Sequence, residues 1–400
     1  MSKTLIVGDI HLEKSISSSK PGIGGAFHSR VVDQLNLLDW ILDQANENHV
    51  SDIIMTGDIF HNVKPDYNIV LAFLNFLQKS EISGIDIHII LGNHELKRTG
   101  NVYTTVLDLL QEISNVCVYK NIYTLHRKGV SFTFMPFRDR RSLGVDTHKE
   151  AVHILNGKLP FESSEIPIEN TKVLIGHLAI EGSMPIGDEF DDELNEIMCP
   201  ISMFTDYDYV WMGHVHRPQV LNKKKPYVAH IGSLDISDFG ETDHEKIIVL
   251  FDPFAENKFK EIPVPSRKLK NINISVPENE NSTEYVLKEL HKINEETSLK
   301  NHLIKLEVKL LSPIAESLDR NKIQSILQSF GIHHLSSFSQ IKTAMVLSGD
   351  KEPRVSITID PKNAVKIFAE KVKFDSDEDK KMYIDFALQT IEELSLKTKK

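Results

Sequence analysis

Five short apolar runs, each closed by glycine and then by an oxygen- or imidazole-bearing side chain, constrain the fold of this chain more than any other feature. They are TLIV before Gly8, DIIMT before Gly57, IHIIL before Gly92, KVLI before Gly176 and YVWM before Gly213. Short apolar runs separated by amphipathic stretches read as strands of an α/β fold. The glycines open GDIH (Asp9, His11), GDIFH (Asp58, His61), GNHE (Asn93, His94), GH (His177) and GHVH (His214, His216). A glycine after a strand permits the sharp turn that presents the next side chain at the sheet's edge. Open α/β sheets carry their sites at the carboxyl ends of strands. Separate segments thus aim ligands at one place, and a shared metal centre is expected there. A lone histidine in such a protein is more often a hydrogen-bonded structural residue, so His28, His49, His126, His148, His153, His230 and His244 stay unassigned.

Helical patterns lie between the runs. Val31, Leu35, Leu38, Ile41, Leu42 and Ala45 recur at three- and four-residue steps, and a second helix is expected over residues 68–79. Around residues 263–267 the pattern changes. NINISV alternates like a strand, Val286, Leu287, Leu290 and Ile293 mark a helix, and LIKLEVKLL reads as another strand. Ser317 is placed to cap a further helix carrying Ile323, Ile326, Leu327 and Phe330, stopped by Gly331. Asp360-Pro361 then starts a helix with Phe368 on its apolar face, and a second carries Tyr383, Ile384, Leu388 and Ile391. The expected divisions are residues 1–265, a small α+β unit at 268–350 and a helical tail at 355–400.

Composition narrows the setting. No segment approaches the apolar length of a membrane span, and MSKTLIVGDIH lacks the apolar core and cleavage site of a secretory signal, so a cytoplasmic location is expected. Cys117 and Cys199 stand far apart in no zinc-type spacing, and are expected to be ordinary buried thiols in a reduced compartment. The formal net charge is −11. A free-standing nucleic-acid binder usually carries a basic footprint, and this chain as a whole does not.

The order GDIH, GDIFH, GNHE, GH, GHVH is similar to that of the calcineurin-like metallophosphoesterases, over roughly the first 220 residues. Within that superfamily, GDIHL, GDIFH and the later GSLDISDFGE resemble the SbcD branch, relatives of the eukaryotic meiotic-recombination repair nuclease. Protein phosphatases share GNHE, but their second motif continues with an arginine where Ile59, Phe60 and His61 stand here. Glu95, where the branch more often has aspartate, and His230-Ile231, where a tyrosine-proline pair is common, depart from its pattern without touching an expected ligand.

The resemblance implies an α/β fold, a four-layer β-sandwich with flanking helices, followed by the α+β capping domain and the C-terminal helices. It implies one metal ion held by Asp9, His11, Asp58 and His216, and a second by Asp58, Asn93, His177 and His214, with Asp58 bridging. The mixed oxygen and imidazole set suits Mn²⁺, Fe²⁺ or Zn²⁺, and the family prefers manganese. His94 is expected as general acid, and His61 as a contact to the phosphate or a guide for the strand end. The implied activity is exonuclease and endonuclease cleavage of DNA, at duplex ends, hairpins or single strands, in double-strand-break processing. The implied partners are a second copy of the chain and an SbcC-type coiled-coil ATPase. Phe368, Tyr383, Ile384, Leu388 and Ile391 would dock on the ATPase, which would also supply much of the electrostatic grip on DNA.

Weaker signals complete the reading. Arg138, Arg140 and Arg141 in PFRDRR are candidate phosphate contacts or ordinary surface. The loop KPGIGGAFHSR follows no strand, and is read as lying beside the site, meeting substrate through His28 or Arg30. Lys223, Lys224 and Lys225 read as a hairpin turn. The rival readings are a phosphodiesterase for small molecules such as cyclic nucleotides, and a scaffold with a degenerate site.

Overall fold

The apolar runs form the interior strands of two face-to-face sheets, as strands covered on both sides require. The computed structural model describes residues 3–14, 27–99, 102–160, 170–184, 196–242, 244–277, 280–311 and 318–343, and residue 384. The chain divides into two compact units, Met1–Ala344 and Met345–Lys400. The elements below belong to the first.

The first sheet contains β1 (Lys3–Val7), β2 (Val50–Met55), β3 (Asp86–Ile90) and β6 (Val116–Tyr119), all parallel, with β15 (Ile247–Phe251) antiparallel beside β1 and β16 (Phe259–Pro263) antiparallel to β15 at the edge. Short pairs, β4 (Lys97–Thr99) with β5 (Val102–Thr104) and β10 (Ala179–Ile180) with β11 (Met198–Cys199), lie outside the main sheets. The second sheet is parallel through β8 (Val130–Met135), β9 (Thr171–Gly176), β12 (Tyr209–Met212) and β14 (Tyr227–His230). Its antiparallel edges are β7 (Tyr123–Arg127) and β13 (Gln219–Asn222). Residues 223–226 make the expected turn between β13 and β14, where Lys225 pairs with Asp208 at 2.8 Å.

Alternation along each strand sorts the side chains into layers. Ile6, Ile54 and Ile90 meet Phe132, Phe134, Ile175 and Trp211 between the sheets. Leu5, Val7, Ile53, Met55, Ile87 and Ile89 point the other way, onto α1 (Ser29–Glu47) and α2 (Tyr67–Ile82). Met135, Leu174, Val210 and Met212 face α4 (His148–Lys158), which the short α3 (Arg140–Leu143) precedes. Each fully buried side chain of this size contributes roughly 1.5–3 kcal/mol, so the inter-sheet layer is a principal source of stability. The four-layer α/β sandwich is thus realised.

After residue 268 the chain builds β17 (Leu269–Ser275), α5 (Ser282–Glu296), β18 (Leu303–Leu311), α6 (Arg320–Ser329) and β19 (His334–Thr343). The three strands are parallel, so the unit expected as α+β is made of two strand–helix–strand crossovers. Ile272, Ile274, Leu306 and Val308 bury one sheet face against Val286, Leu290, Ile323 and Leu327. The cap of α6 is Asp319, whose side chain accepts from Lys322 N at 3.0 Å, and not Ser317, which lies outside the described residues.

Charged groups pin this unit to the sandwich. Arg267 donates from Nε and Nη2 to the Asp33 carboxylate at 2.7 and 2.5 Å, and from Nη1 to Asn301 O at 3.0 Å. Arg30, expected as a substrate contact, is instead 1% exposed, and its guanidinium bonds Asp33, Asp235 and the Ile236 carbonyl. A guanidinium this deep persists only because every face is matched by an acceptor.

Further expectations are also corrected or fall outside. Cys199 is buried, but Cys117 is exposed, because β6 closes one edge of its sheet. The loop at residues 15–26 and the acidic stretch at 188–193 are outside the described residues, as is the tail. Of the tail's docking candidates only Ile384 is described, and it is half-buried. No described helix is long and apolar enough to cross a membrane.

Candidate metal centre

The motifs after β1, β2, β3, β9 and β12 converge at the carboxyl ends of both sheets. Asp9, His11, Asp58, His177, His214 and His216 are buried there, and Asn93, His94 and His61 are half-buried. The glycines serve differently from the expectation. Gly57 alone among the five has a positive φ, +101°. Gly92 is needed for space, since a Cβ there would fall 2.0 Å from Asp58 Oδ1. The left-handed turns are made instead by His11 (φ 49°), Asp58 (φ 50°) and His214 (φ 79°). Such conformations cost about 1–3 kcal/mol each and persist where the surroundings over-determine them.

Asp58 is the centre of the arrangement. Its Oδ2 lies 3.5 Å from His11 Nε2 on one side and 3.4 Å from His177 Nε2 on the other. Its Oδ1 accepts the His94 backbone N–H at 2.9 Å. Around His11, Nε2 of His216 stands 2.9 Å away, and Asp9, His11 and His216 bring ligand atoms within 4.8 Å of one another. Around His177, Asn93 Oδ1 is 3.0 Å from its Nε2 and 3.2 Å from His214 Nδ1. His177 Nδ1 donates to the Thr56 carbonyl at 2.6 Å, and its Nε2 is turned to Asp58 and Asn93. Asp9 is held from behind, accepting His214 N at 2.8 Å and Thr56 Oγ1 at 3.3 Å.

The electrostatics ask for cations. Burial opposes charge on His177, yet Asp58 and Asp9 beside it raise its pKa to about 10. Burial, with the like charge of Asp58 beside it, raises Asp9 from its ordinary value, and burial, with His216, Lys14 and His94 nearby, drives His11 well below the usual imidazole range. His11 Nδ1 is buried without a hydrogen-bond partner, while its Nε2 faces two potential ligands of the same ion. Oxygen and imidazole donors disposed on both sides of one carboxylate fit two divalent ions.

His94 and His61 lie at the rim. His94 Nδ1 donates to the His61 carbonyl at 2.7 Å. The two rings stack at 5.2 Å, and His94 meets the His11 ring edge at 4.7 Å. Burial and then His94 lower the His61 pKa to about 4. The arginines of PFRDRR are mostly committed elsewhere. Arg138 donates to the Phe137 and Lys120 carbonyls and to Asn121, Arg140 donates to the Asp146 carbonyl, and Arg141 is exposed.

Several site residues were missed by sequence reasoning. Glu95 was held to touch no expected ligand, but its fully buried carboxylate accepts the backbone N–H groups of Asp58, Ile59, Phe60 and Gly92. It fixes the loop that carries Asp58. His230 Nδ1 donates to the Gly213 carbonyl beside His214, and its Nε2 meets Ser183 Oγ. Glu196 lies 3.5 Å from His214 Nε2 and Glu241 3.5 Å from His216 Nδ1. Glu241 belonged to the recognised FGE turn, whereas Lys246 gave no signal, since a lone lysine reads as surface.

The family model of calcineurin-like phosphoesterases matches residues 2–218, the segment that supplies GDIH, GDIFH, GNHE, GH and GHVH. The chain belongs to that family. Among curated relatives, this phosphoesterase is 23% identical over 259 residues to the SbcD component of the SbcCD nuclease of Staphylococcus epidermidis, covering 60% of this chain and 66% of that protein. It is 23% identical over 216 residues to the DNA double-strand break repair protein Mre11 of Methanopyrus kandleri, covering 53% of this chain and 44% of that protein. The match thus spans less than two thirds of the length of either relative. The SbcD resemblance read from GDIHL and GDIFH is thereby borne out. Among solved structures, a dimetal phosphatase from Danio rerio aligns with a TM-score of 0.38 and 11% identity, over 62% of this phosphoesterase and 91% of that chain.

Proposed function

We propose that this phosphoesterase is the DNA-cleaving subunit of a double-strand-break processing complex. One ion would be held by Asp9, His11, Asp58 and His216 and the other by Asp58, Asn93, His177 and His214. The observation that carries the two-metal reading is the Asp58 carboxylate, with Nε2 of His11 and of His177 at 3.5 and 3.4 Å on its two sides. Two bound ions supply Lewis-acid activation of water and phosphate. The donor set, which has no thiolate, suits Mn²⁺, Fe²⁺ or Zn²⁺, and the family's preference selects manganese among them. His94, oriented through Nδ1 by the His61 carbonyl, presents Nε2 to protonate the leaving sugar oxygen. His61, stacked on His94, lines the approach of the phosphate.

Two facts favour DNA over a phosphoprotein or a small diester. Ile59 and Phe60 are buried where a phosphatase needs its arginine, and both named relatives are nuclease or break-repair proteins. An acidic chain then requires a partner to grip the backbone, and the tail carrying Phe368, Tyr383, Leu388 and Ile391 is proposed as its dock on an SbcC-type ATPase. A cytoplasmic location goes with that role. A second copy of the chain is proposed at α2, where Tyr67 is 91% and Leu109 68% exposed around a groove of about 390 Å³ lined also by Val63, Val70 and Val106.

The deciding experiment compares linear duplex DNA with a chromogenic phosphodiester, under Mn²⁺ and with and without the ATPase. Mn²⁺-dependent digestion of DNA, stimulated by the partner and abolished by chelation, is expected. Cleavage of the small diester alone would favour a small-molecule phosphodiesterase. Hydrolysis of neither would remove the two-metal reading.

A further inference from the structure

Behind His216 lie two charged groups to which the two-metal scheme gives no part. Glu241 and Lys246 have side chains 1% and 0% exposed, with Glu241 Oε2 and Lys246 Nζ 2.7 Å apart. A lysine is almost never fully buried unless paired, and desolvating such a pair is unfavourable unless its remaining bonds are met. Here Ser237 meets the acid, its Oγ donating to Glu241 Oε1 at 2.8 Å and its N to Oε2 at 3.3 Å, while the ligand segment meets the lysine. Lys246 Nζ donates to the backbone carbonyl of His216 at 2.9 Å and to Ser233 Oγ at 2.8 Å. Glu241 Oε1 lies 3.5 Å from His216 Nδ1. The lysine therefore grips His216 directly at its carbonyl and, through Glu241, at its ring.

The same grip extends to Asp9. Ser233 is bridged to Asp9, and Leu234 N donates to the Asp9 carbonyl at 2.7 Å. Asp9 and His216 belong to one proposed ion. The other is supported by different groups: the Thr56 carbonyl behind His177 and the Glu196 carboxylate behind His214.

A carboxylate behind Nδ1 keeps the imidazole proton there and leaves the Nε2 lone pair facing the site. This matters at His216, because His11 Nε2 is 2.9 Å away. With its proton on Nε2, His216 would hydrogen-bond His11, and both nitrogens would be lost to an ion. We propose that Glu241 and Lys246 are a positioning pair that holds His216 in the Nδ1–H form, and so sets the affinity of the ion at Asp9, His11 and His216 alone. The inference rests on the two-metal reading.

The test titrates Mn²⁺ into the metal-free full chain and records the imidazole nitrogens of the metal-free protein by NMR. Wild type should bind two ions. Glu241→Gln should weaken one of them by about 10–100-fold and leave the other nearly unchanged, the usual effect of removing a carboxylate behind a ligating histidine. It should also move the His216 proton toward Nε2, and Glu241→Asp should restore part of both effects. Glu196→Gln should weaken the other ion instead. The double variant Glu241→Leu, Lys246→Met removes both charges together, strands neither, and must show the same single-ion loss should Glu241→Gln not fold. Equal weakening of both ions, no weakening, or an unmoved His216 proton would each overturn the proposal. Fewer than two ions on wild type would instead overturn the two-metal reading, and the inference with it.

Discussion

Asp58 and His94 belong to the same site, yet they should fail differently when removed. Asp58 faces both halves of the cluster and is held below the usual carboxylate range: burial pushes it up, but His177 and His11 outweigh that. Asp58→Ala should therefore abolish hydrolysis and strip bound metal, and a variant with near-normal turnover under Mn²⁺ would sink the bridging role. His94 touches Asp58 only through its backbone N–H, and its ring is turned to the His61 carbonyl. His94→Ala should keep two ions per chain while turnover falls by about 10²–10⁴-fold, the usual worth of a positioned acid. Loss of metal along with activity would make His94 a ligand. These residues were legible in the text because chemistry restricts them to a few types in fixed order. Glu95 and Lys246 were not, because a carboxylate accepting backbone N–H groups and a lysine bonding a carbonyl have no characteristic neighbours.

At the scale of elements, β2, β3 and β7 carry a second buried charge cluster away from the metal centre. His88 Nε2 lies 3.1 Å from Asp52 Oδ1, and Arg127 stands 3.4 Å from the same oxygen. Burial tends to raise Asp52, but hydrogen bonds from His88 and Ser51 hold its pKa down to about 2. Burial tends to lower His88, and its bonds to Asp52 and Cys117 raise it above 6.5. A depressed acid lends stability above its unfolded pKa of 3.8, lost as pH falls toward 2. A raised histidine lends stability below 6.5, lost as pH climbs through its folded pKa. Their window of joint benefit is about pH 4 to 6.5, where Asp52→Asn should cost about 2 kcal/mol, the size of the Asp52 shift. Denaturant unfolding across pH would refute this if the gap between variant and wild type did not narrow below about pH 3. Strands and helices were readable from periodicity because the sandwich buries them in the ordinary way. The parallel order of β17, β18 and β19 was not, since each strand's alternation is the same whichever neighbour it pairs with.

For the whole molecule, the exposed apolar ridge of Tyr67 and Leu109 beside α2 is the surface proposed for a second copy of the chain. Leu109→Asp should leave the metal centre intact and shift a dimer to monomer in light scattering at micromolar concentration. An unchanged mass would separate the ridge from self-association. The sequence changes pattern near residue 265, just before β17 begins at Leu269. The ties across that point were not legible, because Arg30 read as a substrate contact and Arg267 carried no reading until Asp33 and Asp235 are seen beside them. Val264 N donates to Lys246 O at 2.8 Å and Ser266 Oγ to Leu234 O at 3.1 Å, so the connecting segment is itself stitched to the sandwich. The consequence is one of leverage. Swinging the unit that begins at β17 would part Arg267 from Asp33 at roughly 1.5–3 kcal/mol for each charge-assisted bond, and would strain the stitching that runs through Leu234 to Asp9. The unit is therefore footed on the sandwich like a buttress, through the backbone that also carries Asp9.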